Sequence, residues 1–144
     1  YGQGENLHVA IWPGCVRNTI DITRFIALEG RSYVLSASAL LRASDFPAET
    51  PLRDRIVRSE DEVMHDGGSA IAAPDGTWIV EPVANEETLL TAELSIERVY
   101  EERQNFDPTG HYSRPDVLRL VVDRTRQRAV EVTATRSAEA TREE

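Results

Sequence analysis

The chain contains no lysine: all 16 basic residues are arginine, against 25 acidic ones. Chemistry that needs a primary amine, such as a Schiff base or a lysine that stabilises developing charge, is therefore excluded from these residues. A net charge of -9 argues against nucleic acid as a partner, because phosphate binding needs a basic surface. The single cysteine cannot close an internal disulfide, which suits a reducing compartment and points to the cytoplasm. It also rules out thiolate clusters, and His8, His65 and His111 share no ligand spacing, so no metal is expected. No apolar run approaches the roughly 20 residues that span a bilayer, and no basic region followed by an apolar core opens the chain. No membrane partner is expected. What remains, 144 residues at 40% hydrophobic, has the size and balance of one globular unit.

Along the chain, alternating elements predict an α/β fold, a parallel or mixed sheet with helices packed on it. Residues 7–12 form a nearly continuous apolar run closed by Pro13 and Gly14, which predicts a strand buried on both faces. Asn18 or Thr19 then caps a helix whose apolar positions are Ile20, Ile22, Phe25, Ile26 and Leu28, and Gly30 stops it. Residues 32–39 read as a second strand. The charged, proline-bearing stretch 40–66 reads as a surface excursion with a helical turn or two between Leu52 and Met64. Pro74, Asp75 and Gly76 predict a hairpin turn between strands at 69–73 and 77–83. Residues 88–94 predict another strand, and Ser95 starts a helix with Glu97 in its first turn. Turn chemistry at Asp107, Pro108, Thr109 and Gly110 leads into Val117, Leu118, Leu120, Val121 and Val122, the expected last strand of the sheet. From Asp123 the composition turns polar, which predicts a disordered tail over 123–144 after a domain at 1–122.

Four runs occur in a particular order: LHVAIWPG from Leu7, DITRFIALEGRSYVLSAS from Asp21, GGSAIAAPDGTWIVEP from Gly67, and NFDPTGHYSRPDVLRL from Asn105. Together they resemble the second half of a nitrilase, of the carbon-nitrogen hydrolase superfamily, over residue 1 to about 122. GHYSRPD with the preceding FDP is the most specific; the first two runs also resemble looser versions in amidases and carbamoylases. The resemblance implies the carboxy-terminal half of an α-β-β-α sandwich. It also implies hydrolysis of a nitrile to a carboxylic acid and ammonia through a Cys thioimidate and thioester, without cofactor or metal. The family's catalytic Glu, Lys and Cys precede the LHVAIWPG run, so no catalytic residue is expected here. The chain opens on YGQGEN rather than on Met, which reads as the end of a helix already under way. A missing amino-terminal half is the expectation. Trp12, Pro13 and Gly14 are implied at the substrate pocket; His111, Tyr112, Arg114 and Asp116 are implied as structural or assembly residues of a homo-oligomer.

Cys15 follows the WPG run at a strand end, an address where a thiolate could attack an electrophile, with His65 or His111 as its base. No orienting third residue or oxyanion motif stands out, so the reading favours a small packed or loop residue. Other readings are a cyanide-degrading enzyme or amidase of the same superfamily, or a non-catalytic assembly module. The pattern does not select the nitrile.

Overall fold

The computed structural model describes residues 1–125 and 129–130. Residues 126–128 and 131–144 of the expected disordered tail lie outside the described residues. The elements are β1 (Leu7–Trp12), α1 (Val16–Gly30), β2 (Tyr33–Ser38), β3 (Leu40–Arg42), a 3-10 turn (Ala43–Asp45), α2 (Arg53–Ile56), β4 (Val63–Ala72), β5 (Trp78–Ala84) and α3 (Ile96–Asn105).

A mixed five-stranded sheet organises them, as the alternation predicts. β1 and β2 are parallel, from Leu7 opposite Tyr33 to Trp12 opposite Ser38, with α1 as the crossover that parallel pairing requires. β2 then pairs antiparallel with β4, Val34 opposite Ala72. β4 is long enough to pair with β3 through its first residues and with β5 along its second half, so it runs through the sheet's interior while β1 lies at an edge. The turn between β4 and β5 is closed by the Gly76 N–H donating to the Ala73 carbonyl at 2.8 Å, and Gly76 takes the positive φ (+74°) that only glycine adopts without strain.

α1 presents small residues to the sheet. Its buried positions are Thr19, Thr23, Ala27 and Gly30, and Ala27 packs with Ala10, Val34 and Ala72. Of the apolar positions that recur at helical spacing, Ile26 packs against that core, whereas Ile22, Phe25 and Leu28 are exposed. Close approach of helix to sheet is the reason. The buried Thr23 hydroxyl is satisfied by donating to the Thr19 carbonyl at 2.6 Å, so polarity does not keep it out. The helix also starts earlier than the Asn18 or Thr19 cap suggested, with Cys15 at the N-cap. At its end the left-handed residue is Arg31 (φ 48°), not Gly30; Gly30 is small because the Tyr1 ring lies where a Cβ would project.

The other face of the sheet is covered only in part. Tyr33, Ala73 and Val99 form a second core with Ile79 against them, and the Tyr33 hydroxyl donates to the Ser95 carbonyl at 3.0 Å, tying α3 to β2. Beyond that cluster the face is open along β1: Leu7, Val9 and Ile11 are 44%, 59% and 81% exposed. β1 is therefore buried on one face, not both. Its apolar composition alone cannot separate a strand covered twice from one with an uncovered partner face.

Three other expectations are corrected. Residues 40–66 are not all excursion: Leu40 pairs with Asp66 and Leu41 with His65, so both ends belong to the sheet. Inside that loop α2 does fall between Leu52 and Met64, and Arg53 holds it by donating to both Glu60 carboxylate oxygens at 2.7 and 2.8 Å. Residues 88–94 form no strand, and neither do residues 117–122, whose Val117, Leu118, Leu120 and Val121 are exposed. β-rich alternation supplies propensity, but a strand needs a partner edge, and neither segment meets one among the described residues. The helix from Ser95 is where the sequence placed it, with Glu97 in the first turn.

Candidate functional site

The turn after β1 carries the residues singled out for a pocket. Ala39 donates its N–H to the Trp12 carbonyl at 3.3 Å, tying the end of β1 to the link between β2 and β3. Gly14 has φ +136°, and a Cβ there would lie 2.5 Å from the His65 Cβ and 2.7 Å from the Ala39 oxygen. Glycine is required twice over, by conformation and by space. Trp12 packs its ring against the core under α1; its indole nitrogen is buried and has no hydrogen-bond partner among the described residues. Trp12, Pro13 and Gly14 thus share one tightly held turn, with the Trp12 ring directed to the α1 side of the sheet.

Cys15 lies beside this turn in a left-handed conformation (φ 76°), its thiol 3.7 Å from His65 Nδ1 and 3.8 Å from the Met64 carbonyl oxygen. The fold therefore brings Cys15 to His65 and not to His111. Among the described residues no carboxylate hydrogen-bonds the His65 ring, so this contact lacks the orienting third group of a hydrolytic triad. Sequence reasoning missed Asp66, whose Oδ1 accepts the Val16 N–H at 2.9 Å. A carboxylate 50 residues from the helix it caps leaves no local signal.

The opposite face of the sheet holds an apolar groove of about 250 Å³, walled in part by Val9, Leu35, Ala37 and Ile71 of the sheet and roofed by Thr88 and Leu90. Alternation within β1 and β2 is its sequence signal, because alternate residues of a strand share a face and Val9, Leu35 and Ala37 stand on this one. Thr88 and Leu90 reach it from the segment 88–94, which was expected as a strand.

His111, Tyr112, Arg114 and Asp116 form a separate surface feature. Arg114 donates to Asp116 from Nε at 2.8 Å and Nη2 at 2.6 Å, a two-pronged pair in full solvent. The guanidinium pushes the Asp116 carboxyl below its usual range. His111 instead stacks near Tyr112, with ring centroids 4.5 Å apart, and Tyr112 meets Phe106 at 5.1 Å. Burial would raise the Asp107 carboxyl, but N–H groups of Thr109 and Gly110 at 3.0 and 2.9 Å outweigh it and hold that carboxyl low. The segment is thus a carboxylate-nucleated turn followed by an aromatic cluster and an ion pair.

Among the described residues no group of three His, Cys, Asp or Glu could hold a metal ion, and no helix is long and apolar enough to cross a membrane. A mixed sheet with helices packed on it and one apolar face partly open defines an α/β unit. No family model matches the chain. The chain is 39% identical over 130 residues to an aliphatic nitrilase of Sinorhizobium fredii, a match covering 90% of this chain and 42% of that protein. It is 37% identical over 130 residues to a nitrilase of Bradyrhizobium diazoefficiens, covering 90% and 40%. With an arylacetonitrilase of Aspergillus niger it shares 33% over 152 residues, covering 94% and 44%. The chain spans about two fifths of the length of the curated relatives it matches. Over that span it belongs to the nitrilase family.

Proposed function

We propose that this chain works as part of a nitrilase, a hydrolase that converts a nitrile and two waters to a carboxylic acid and ammonia. The identity of 39% across 90% of the chain with a protein named aliphatic nitrilase carries this reading. In it, a Cys thiolate activated by a Glu adds to the nitrile carbon to give a thioimidate, while a Lys stabilises the charge developing on nitrogen. Water adds, ammonia leaves, and a second water frees the acid from the thioester. With no lysine among its 144 residues, this chain leaves that Glu, Lys and Cys to another part of the protein. No cofactor or metal enters.

The chain's own share is structural. The open face bearing Leu7, Val9 and Ile11 receives a second sheet, completing an α-β-β-α sandwich. Trp12, Pro13 and Gly14 contribute to the pocket wall, and the segment of His111, Tyr112, Arg114 and Asp116 lies at a subunit contact of a homo-oligomer. The lone cysteine suits a cytoplasmic setting. The test is a graft in which this chain replaces the matching segment of the Sinorhizobium fredii aliphatic nitrilase. Ammonia release from aliphatic or aromatic nitriles is expected. A folded, soluble graft that releases ammonia only from amides, or from nothing, refutes the assignment.

A further inference from the structure

The 12–15 turn and the first residue of α1 meet a single stretch of β4. Gly14 lies against His65, the Cys15 thiol against the Met64 carbonyl, and the Val16 N–H on the Asp66 carboxylate. Val16 also packs on Gly68, where a Cβ would come within 3.0 Å of the Val16 Cα. The first turn of a helix has N–H groups with no intrahelical acceptor, and Cys15 at the N-cap makes no side-chain cap bond. Asp66 fills that place from another strand. Its own backbone is anchored: its carbonyl accepts the Asn85 N–H at 2.6 Å, and it sits opposite Leu40 in the sheet.

We propose that Asp66 is a positioning residue for the pocket wall: held by β4, its carboxylate caps α1 and sets where the 12–15 turn sits. This rests on the reading of that turn as part of a nitrile pocket. Asp66 acts through Val16 and touches no substrate. Close packing at Gly14 and Gly68 bars the turn from moving toward β4, so loss of the cap lets it move only away. An acceptor oxygen is what the geometry requires, and a negative charge is not.

The graft described above tests this by kinetics and by hydrogen exchange of the peptide covering 12–17. Asp66→Ala is expected to raise KM about 10-fold with kcat within about 3-fold, the size of one lost cap bond. Exchange over 12–17 should speed up by a similar factor while an α3 peptide stays unchanged. Asp66→Asn, which keeps an acceptor oxygen, should restore both. An active graft in which Asp66→Ala leaves KM unchanged overturns the proposal, as does an Asn variant that behaves like Ala. If Asp66→Ala fails to fold, Asp66→Asn decides: a KM within about 3-fold of the parent supports the proposal, and a larger rise or failure to fold overturns it. An inactive graft counts against the nitrilase reading instead, and the exchange then decides for Asp66: unchanged rates over 12–17 overturn it.

Discussion

Ile11→Glu should change sign with context. In the chain on its own, Leu7, Val9 and Ile11 leave together nearly two side chains' worth of apolar surface in water. At about 1.5–3 kcal/mol per fully buried large side chain, the forgone burial is on the order of 3–6 kcal/mol. A whole domain is stable by only about 5–15 kcal/mol, so this deficit is a large fraction of what is available. β1 is also an edge strand with unpaired N–H and C=O groups, which recruits other chains. The isolated chain is therefore expected to self-associate and bind a hydrophobic dye, and Ile11→Glu should reduce both because the glutamate replaces the most exposed of the three side chains. In the graft, where the proposal has a second sheet cover the face, the same substitution would bury a carboxylate and should cost about 3 kcal/mol or more. Size-exclusion chromatography, dye binding and thermal melts of both proteins read the two effects. A sharp cooperative melt of a soluble, dye-free monomer, with Ile11→Glu neutral in both contexts, would refute the reasoning and point to an autonomous module.

The isolated chain should release no ammonia from nitriles, and Cys15→Ala should leave that blank unchanged; activity abolished by Cys15→Ala would make the contact with His65 catalytic. Arg114→Ala in the graft should shift the oligomer distribution while leaving turnover per intact assembly unchanged, since a fully solvated pair contributes little to the fold itself; unaltered elution would count against an assembly role. Burial raises the Asp75 carboxyl, yet the Thr77 hydroxyl and N–H and the Arg98 guanidinium bring it down to about 2. Because that lies below the unfolded value of about 3.9, its stabilisation is present above that pH and fades as pH falls toward 2. With the side chain 30% exposed, the contribution is about 1 kcal/mol after screening. Asp75→Asn should flatten the acid limb of graft stability between about pH 4 and 2 by that amount, and an identical limb in denaturant titrations would refute it.

Local patterns carried the order of elements and the family. The run from Leu7 to Trp12, the Pro74, Asp75 and Gly76 turn, and the Ser95 helix start each depend on neighbours in sequence, and all three stand in the fold. The motif runs identified the nitrilase family because they are patterns of residue identity, legible without coordinates. Tertiary structure decided which faces are covered and which groups meet. Thr19, Thr23 and Ala27, not Ile22, Phe25 and Leu28, face the sheet because the closeness of α1 to it selects for size over hydrophobicity. Residues 88–94 and 117–122 have strand composition but pair with no edge among the described residues, and pairing is a property of two segments. The meeting of Asp66 with Val16 and of His65 with Cys15 likewise joins residues 50 apart. Local composition records what each residue prefers, whereas a cap or contact at that distance exists only once the sheet has set its register.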